Sequence, residues 1–169
     1  LVAGAQTSYS AQIKEMIDAL PPEQKTQITL VDNFREEDKA RLVAACDIFV
    51  LPSGEESFGI AFVEAWACGK PVIGARIGAI PSVIDEGRDG LLVAYQDADD
   101  LARAILELLE DPQRRVQLGA AGRSKVLQNY TWESVADQVR AVYIEATSRR
   151  EGHREGAPAC QHSHQPSRR

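Results

Sequence analysis

Residues 47–75 read DIFVLPSGEESFGIAFVEAWACGKPVIGA, and this stretch decides the fold. Its two ends, 47–52 and 71–75, are short runs dominated by apolar and β-branched residues, as in strands buried on both faces. Between them, residues 60–68 are apolar or small at every position but one, which predicts a helix buried on all sides. This order predicts a βαβ unit and therefore a parallel sheet.

The alternation of strand and helix continues on both sides of this unit. Further strands are predicted at LVAGA, ITLV and GLLVA, which are residues 1–5, 28–31 and 90–94. Helices are predicted from Pro112 and from near Thr131. The fold class is therefore α/β, a Rossmann-like parallel sheet with helices on both faces. Three more helices are indicated by apolar stripes at Ile13, Met16, Ile17 and Leu20, at Leu42, Val43 and Cys46, and at Leu101, Ile105, Leu108 and Leu109.

The composition excludes several classes of function. The chain has 169 residues, the size of one ordinary domain, and a formal net charge of -6. Without a broad basic face it is not expected to bind nucleic acid. Its three cysteines lack metal-ligand spacing, no apolar run approaches the ~20 residues of a bilayer span, and no signal peptide opens the chain. We therefore predict a soluble, cytoplasmic protein.

The predicted domain covers residues 1–148, and residues 149–169 are predicted to form a disordered tail. The tail loses helical periodicity and most apolar residues, so it offers too little surface to form a packed core. It contains His153, His162 and His164, which could serve as metal ligands. A solvated tail is the favoured interpretation because no ordered frame holds these side chains, and no metal site is predicted.

Glu64 is the one charged residue within the predicted buried helix. A carboxylate in apolar surroundings must be paired or hydrogen-bonded, because leaving it alone costs several kcal/mol. One interpretation is an ion pair with an arginine such as Arg76. The other is that Glu64 accepts hydrogen bonds from a ligand.

The loop PSGEESFG, residues 52–59, is the second unusual feature. Ligands of a parallel sheet bind beyond the carboxyl ends of its strands, and this loop follows one of them. Gly59 precedes the helix, where free N–H groups bind anions and a missing Cβ lets a ligand approach. Glu56 is either an acidic residue favoured by the helix dipole or, together with Glu64, from which seven residues separate it, an acceptor for hydroxyl donors at one cleft.

Residues 52–93, PSGEESFGIAFVEAWACGKPVIGARIGAIPSVIDEGRDGLLV, resemble the donor-binding segment of retaining glycosyltransferases of GT-B family 4. The resemblance rests on the E-x7-E pair Glu56 and Glu64, on Phe58-Gly59 between them, and on the runs EAWACGKPV and GLLV in family order. It extends from about Leu1 to Thr147. Ala79 and Ser82 depart from the pattern, because the family has a second glycine and commonly an acidic residue there.

The resemblance implies roles for the residues of this loop and helix. Glu56 would be the catalytic residue and contact hydroxyls of the donor sugar near the reacting carbon. Glu64 would bind the ribose hydroxyls of the nucleotide. The donor-binding residues would also include Ser57, Phe58, Gly59 and Ile60, with backbone amides around the last three meeting the sugar or the diphosphate.

The resemblance further implies a metal-independent transfer with retention of configuration, a nucleotide-diphospho-sugar as the donor, and no cofactor. It implies that this chain is the C-terminal, donor-binding half of such an enzyme without that domain's first strand and helix. The acceptor-binding N-terminal domain and a basic pair that grips the diphosphate would then be missing. Any peripheral membrane contact would run through that missing domain, and the chain alone is expected to be inactive.

The sequence also suggests two other functions and one other site. A degenerate module that binds a nucleotide sugar without transferring it is the main alternative. An NAD-type oxidoreductase is disfavoured because no glycine fingerprint follows a strand. Asp97 and Asp99 have the spacing of a metal-binding Asp-x-Asp motif from a different glycosyltransferase fold. Their position before the stripe at Leu101 instead predicts that Asp97 is the N-cap of a helix and that Asp99 lies in its first turn.

Overall fold

The computed structural model describes the backbone of residues 1–155 and the side chains of residues 1–148. All five predicted strands are present in this part of the chain, together with the predicted helices and two short additional ones, α2 and α5. The strands are β1 Val2–Gly4, β2 Leu30–Asp32, β3 Phe49–Leu51, β4 Val72–Ala75 and β5 Gly90–Val93. The helices are α1 Ser8–Asp18, α2 Pro22–Lys25, α3 Glu36–Ala45, α4 Ile60–Ala67, α5 Ile80–Val83, α6 Ala98–Glu110, α7 Pro112–Asn129 and α8 Trp132–Glu155.

The strands pair in parallel, as predicted, but in two separate groups. β1 pairs with β2, so that Val2 lies opposite Leu30. β4 lies between β3 and β5, with Val72 opposite both Phe49 and Gly90. Within the described residues no hydrogen-bonded register joins the two groups, so the single predicted sheet is divided into a two-stranded and a three-stranded part.

The three-stranded part carries helices on both faces, which confirms the α/β prediction. Successive side chains of a strand point to opposite faces, so two neighbouring residues of β4 show what packs on each face of the sheet. Ile73 belongs to a buried cluster with Leu108 of α6. On the other face, a Cβ at Gly74 would lie 2.8 Å from Ile84 and 3.1 Å from Phe62 of α4. Every residue of β4 and β5 is buried, as their apolar sequences predict.

The first third of the chain is packed less tightly. Among the described elements, β1, α1, β2 and α3 contain no fully buried residue. Ile13 and Met16, from the apolar stripe predicted for α1, are 37% and 71% exposed. The apolar stripe predicts the position of α1 correctly, but its residues do not pack into a core. A two-stranded sheet offers too little surface to cover them.

A second compact unit begins at Asn129 and contains α8. Helix α8 begins near Thr131, as predicted, because Thr131 Oγ1 accepts a hydrogen bond from the Ser134 N–H at 3.1 Å. The helix runs to Glu155, past the predicted domain boundary at residue 148. The side chain of His153 and the rest of the predicted tail, from residue 156, lie outside the described residues. In the described part of the chain, no helix is both long and apolar enough to cross a membrane.

Candidate functional site

The loop after β3, residues 52–59, enters α4 through Gly59. Gly59 is the N-cap of α4 and has φ 82° and ψ 49°, in the left-handed region that favours glycine. A Cβ at this position would also approach the Phe62 ring to 2.7 Å. No side chain caps the start of α4, so its first N–H groups face the loop without a side-chain acceptor.

Glu56 is half-buried in this loop. The Ser53 hydroxyl donates a hydrogen bond to Glu56 Oε1 at 2.9 Å, which fixes the carboxylate. The loop is also held from outside by Tyr95, which follows β5. The Tyr95 ring lies so close to Gly54 that a Cβ there would overlap it, so any larger residue at Gly54 would push the ring away.

The other predicted donor-binding residues lie together at the start of α4. Ser57 is exposed, and Phe58 and Ile60 are 41% and 65% exposed. Gly59 between them is buried. The start of the helix is therefore open to solvent on the side where its N–H groups begin, as an anion site requires.

Glu64 does not lie in the fully buried helix that its sequence predicts. Phe62, Ala65 and Trp66 are the buried residues of α4, and together they form one face of the helix. At 100° per residue, Glu64 and Ile60 project from the opposite face. The Glu64 side chain is 34% exposed, because the apolar composition of α4 reflects a strong core face rather than burial on all sides.

The partner of Glu64 is a lysine rather than Arg76. Lys39 lies on α3, which packs against α4, and its Nζ is 2.8 Å from Glu64 Oε1. Arg76 instead donates to Glu86 Oε2 at 2.9 Å. The interpretation of Glu64 as the partner of Arg76 is thus wrong. Arg76 extends from the end of β4 toward β5, where it also donates to the Leu92 carbonyl.

Lys39 connects two carboxylates. Its Nζ also donates to Glu36 Oε1 at 3.2 Å. The hydrogen bond to Glu64 outweighs the opposing effect of burial and raises the pKa of Lys39. Lys39 therefore carries a full positive charge at neutral pH. Because both Lys39 and Glu64 are about one third exposed, the pair is worth at most about 1 kcal/mol of folding stability.

The orientation of α4 is set on its buried face by the Lys125 cluster, which consists of Lys125, Asp85, Asp89 and Trp66. Lys125 on α7 donates to Asp89 Oδ2 at 2.7 Å and to Asp85 Oδ2 at 3.1 Å. Its Nζ lies 5.1 Å from the centre of the Trp66 ring, in cation–π geometry. Trp66 Nε1 donates to the Asp89 carbonyl at 2.8 Å. This network links α4 to α7 and to the turn before β5.

A cavity of about 480 Å³ lies beside α3. Neither Glu56 nor Glu64 lines it. Its lining comes from β2, the following loop and one face of α3, namely Val31, Asn33, Phe34, Arg35, Asp38, Arg41, Leu42 and Ala45. Asp38 and Leu42 lie one turn apart on α3 and both line the cavity, whereas Lys39 does not.

The interpretation of Asp97 and Asp99 as helix-start residues is confirmed. Asp97 is the N-cap of α6 and accepts from the Asp100 N–H at 2.9 Å, and Asp99 lies in the first turn. Asp100 accepts from the Ala94 N–H, which lowers the pKa of its carboxyl group. Within the described residues, no group of three or more ligating side chains could hold a metal ion.

Sequence reasoning missed Lys39 and the Lys125 cluster. For Lys39 a partial signal existed, because the exposed face of α4 carries one carboxylate and the preceding helix offers only Lys39 and Arg41 as cations. The contact between Lys125 and Asp89 joins positions 36 residues apart and has no local signature.

Comparison with known proteins gives consistent matches. Residues 1–125 match the family model described as glycosyl transferases group 1. The D-inositol 3-phosphate glycosyltransferase of Stackebrandtia nassauensis is 37% identical over 123 residues, which cover 73% of this chain and 28% of that protein. Across the curated relatives compared, this chain spans between 24% and 36% of the relative's length.

Solved structures show the same arrangement of strands and helices. The sucrose-phosphate synthase from Thermosynechococcus elongatus has a TM-score of 0.72 and 30% identity, and the match covers 86% of this chain and 38% of that one. Anabaena HepE in complex with UDP and glucose has a TM-score of 0.69 and 26% identity, covering 85% and 39%.

Proposed function

The chain belongs to the glycosyl transferases group 1 family, and on this premise we propose that it forms the donor-binding half of a glycosyltransferase. The proposed reaction moves a sugar from a nucleotide-diphospho-sugar to an acceptor. Retention of configuration rests on the resemblance of residues 52–93 to retaining enzymes. Because the chain spans about a third or less of most curated relatives, the complete reaction, its acceptor and its partner domain are part of the proposal.

One observation carries the proposal: Glu56 lies in the loop that enters the uncapped start of α4, and Glu64 lies one turn into the same helix. A nucleotide sugar needs N–H donors for its diphosphate and acceptors for its hydroxyl groups. The first turn of α4 offers the donors, and the two carboxylates offer the acceptors. Both carboxylates are anchored through one oxygen, Glu56 by Ser53 and Glu64 by Lys39.

Each group has a distinct task in the proposed reaction. Departure of the nucleoside diphosphate leaves positive charge on the sugar ring and negative charge on the leaving phosphate. The N–H groups and the positive dipole end of α4 stabilise the leaving phosphate. Glu56 accepts hydrogen bonds from sugar hydroxyls and favours the developing cation, while Glu64 binds the ribose diol. No metal or cofactor has a role in this scheme.

Two observations bear on the nucleotide ligand. HepE has been solved with UDP-glucose, at 25% identity to this chain, which supports a nucleotide sugar as the ligand class. The cavity beside α3 is lined by Asn33, Phe34 and Arg35 from the loop after β2, and we propose this loop as the place of base recognition. A cytoplasmic location, where nucleotide sugars are made and used, stays a prediction.

The test is a thermal-shift panel of UDP-, GDP- and ADP-sugars, because a ligand that binds only the native state raises its melting temperature. One of them should stabilise the chain, and calorimetry should then give its affinity. In Glu64→Gln, loss of the charge-assisted bond should weaken binding by roughly 1.5 to 3 kcal/mol while the fold is kept. No stabilisation by any of these sugars, or an unchanged affinity in folded Glu64→Gln, would contradict the proposal.

A further inference from the structure

Lys39 lies within the proposed donor site but has no part in the roles assigned above. Its Nζ is 2.8 Å from Glu64 Oε1, and it reaches across from α3 to do this. Among the described residues, none donates a hydrogen bond to the other oxygen, Glu64 Oε2. The Glu64 carboxylate therefore accepts a hydrogen bond through one of its two oxygens.

We propose that Lys39 is a positioning residue of the donor site, which occupies Glu64 Oε1 and leaves Oε2 as the acceptor for the ribose hydroxyls. Without Lys39, the Glu64 side chain on the solvent-facing side of α4 would be free to change rotamer. A carboxylate held in one orientation loses less conformational entropy when a ligand binds. This inference rests on the proposed function, because it places the ribose at Glu64.

Charge gives a second reason for a lysine at this place. The ligand carries a diphosphate, and the proposed site already contains the carboxylates of Glu56 and Glu64. Like charges in a partly desolvated site repel, and this repulsion would weaken the binding of an anionic ligand. Lys39 neutralises Glu64 and leaves it able to accept hydrogen bonds. The raised pKa of Lys39 follows from its hydrogen bond to Glu64 and keeps this charge present through the physiological range.

The opposite role, in which Lys39 blocks the site and must leave before a ligand binds, is less compatible with the geometry. An ionised carboxylate has about four acceptor positions on its two oxygens. Lys39 uses one of them, and a ribose diol needs two. The ammonium group and the ribose can therefore bind Glu64 at the same time.

The experiment measures the affinity of the 169-residue chain for UDP, GDP and ADP by calorimetry in four single variants. Lys39→Met removes the cation and keeps most of the side-chain volume, and Lys39→Arg keeps the cation. Lys25→Met is the matched control, because Lys25 also forms an exposed ion pair, with Asp18, between α1 and α2. Glu64→Gln completes the set, together with the double variant Lys39→Met/Glu64→Gln.

For the diphosphate that the wild-type chain binds most tightly, Lys39→Met should weaken binding about three- to tenfold. Lys39→Arg and Lys25→Met should stay within about twofold of wild type. In the Glu64→Gln background, Lys39→Met should have little further effect, because its action passes through Glu64. A residue that only stabilised the fold would lower the melting temperature without this dependence on Glu64.

The outcomes separate this inference from the proposed function. If wild type binds a nucleoside diphosphate and Glu64→Gln weakens it, while Lys39→Met leaves it unchanged or tightens it, the positioning role is wrong and the donor site stands. Equal losses from Lys39→Met in both backgrounds would also overturn the positioning role. If wild type binds none of the three, the proposed function fails, and the inference fails with it.

Discussion

At the scale of single residues, the candidate site consists of two carboxylates, each of which accepts a hydrogen bond through one of its two oxygens. Ser53 holds one oxygen of Glu56, and Lys39 holds one oxygen of Glu64. Ser53 lies in the loop before α4 and Lys39 lies on α3, so neither of these hydrogen-bond donors belongs to α4 itself. An acceptor fixed before the ligand arrives needs no reorganisation during binding, which is how preorganised sites gain affinity and rate.

Glu56→Gln should affect the sugar more than the nucleotide. The substitution keeps the shape and the hydrogen bond from Ser53 but removes the charge, so bonds from sugar hydroxyls become weaker. Affinity for the nucleotide sugar chosen by the thermal-shift panel should drop about fivefold, with less than about twofold for the matching nucleoside diphosphate.

Calorimetry with the two ligands makes this comparison directly. Glu55→Gln is the control, because it removes the neighbouring charge from an exposed position. Equal losses for sugar nucleotide and diphosphate in Glu56→Gln would contradict a role toward the sugar. A Glu55→Gln effect as large as that of Glu56→Gln would do the same, because charge alone would then explain both.

At the scale of elements, α4 is positioned from behind by α7. Gly119 of α7 lies against the backbone at Gly69, and Gly122 lies against the indole of Trp66. These glycines let two helices approach closely, and the Lys125 cluster then fixes the contact by hydrogen bonds. The start of α4, and with it the proposed anion site, thus depends on residues some 60 positions later in the chain.

Gly122→Ala should destabilise the protein by roughly 1 to 3 kcal/mol, as overpacking of a core does. The added methyl group would overlap the Trp66 ring, which is fully buried and has no free space to enter. Urea unfolding checks the value. Gln117→Ala, an exposed change on the same helix, should stay within about 0.5 kcal/mol of wild type. A Gly122→Ala variant as stable as this control would mean that α7 does not press on Trp66.

The Lys125 cluster should lose stability at alkaline pH. Burial lowers the pKa of Lys125, but its hydrogen bonds to Asp89 and Asp85 outweigh this and raise the pKa above the ordinary value. A lysine whose folded-state pKa is raised stabilises the fold below the unfolded pKa of about 10.4 and loses this contribution as pH rises through the folded value. The melting temperature should therefore fall as the pH rises above about 10.5.

Lys125→Arg tests the cause of this loss, because arginine stays protonated there. Its melting temperature should fall less steeply over the same pH range, whatever its value at pH 7. Lys25→Arg, at an exposed ion pair, serves as the control and should follow wild type. If Lys125→Arg and wild type decline in parallel, the cluster is not the origin of the alkaline loss. Burial raises the pKa of the Asp89 carboxyl group, and the hydrogen bond from Lys125 opposes this effect.

At the scale of the whole molecule, we expect the 169-residue chain to bind a nucleotide sugar without transferring it. The chain spans 28% of the glycosyltransferase from Stackebrandtia nassauensis, and the proposed site contains only groups for the donor. Positioning an acceptor against the donor carbon supplies up to ~7 to 11 kcal/mol of catalysis, which a donor site alone does not provide. Its nucleotide affinity should also be weak, since helix N–H groups are the main contacts proposed for the diphosphate.

Incubation with labelled UDP-, GDP- and ADP-sugars and a range of sugar and inositol acceptors checks this expectation. Transfer above that of a Glu56→Gln control would show that an acceptor site lies within these residues. Restoration of activity in a longer protein that includes this chain would distinguish an enzyme from the alternative, a module that binds without transfer.

The amino-acid sequence by itself determined the order and the type of the elements, apart from the short helices α2 and α5. The five strands, the helix starts at Pro112 and Thr131, and the cap at Asp97 all follow from patterns within a few residues. Apolar periodicity, a rigid proline and a side chain that caps its own helix act over one or two turns, so the chain's local chemistry is sufficient for them.

Tertiary structure decided which of these elements are buried and which charges meet. Ile13 and Met16 of α1 are exposed and α4 has an open face, although both helices look suited to burial in the sequence. Glu64 pairs with Lys39, 25 positions away, and not with Arg76. An ion pair depends on how two helices dock, and helix docking depends on the shape of all the packed side chains together, which no local pattern contains.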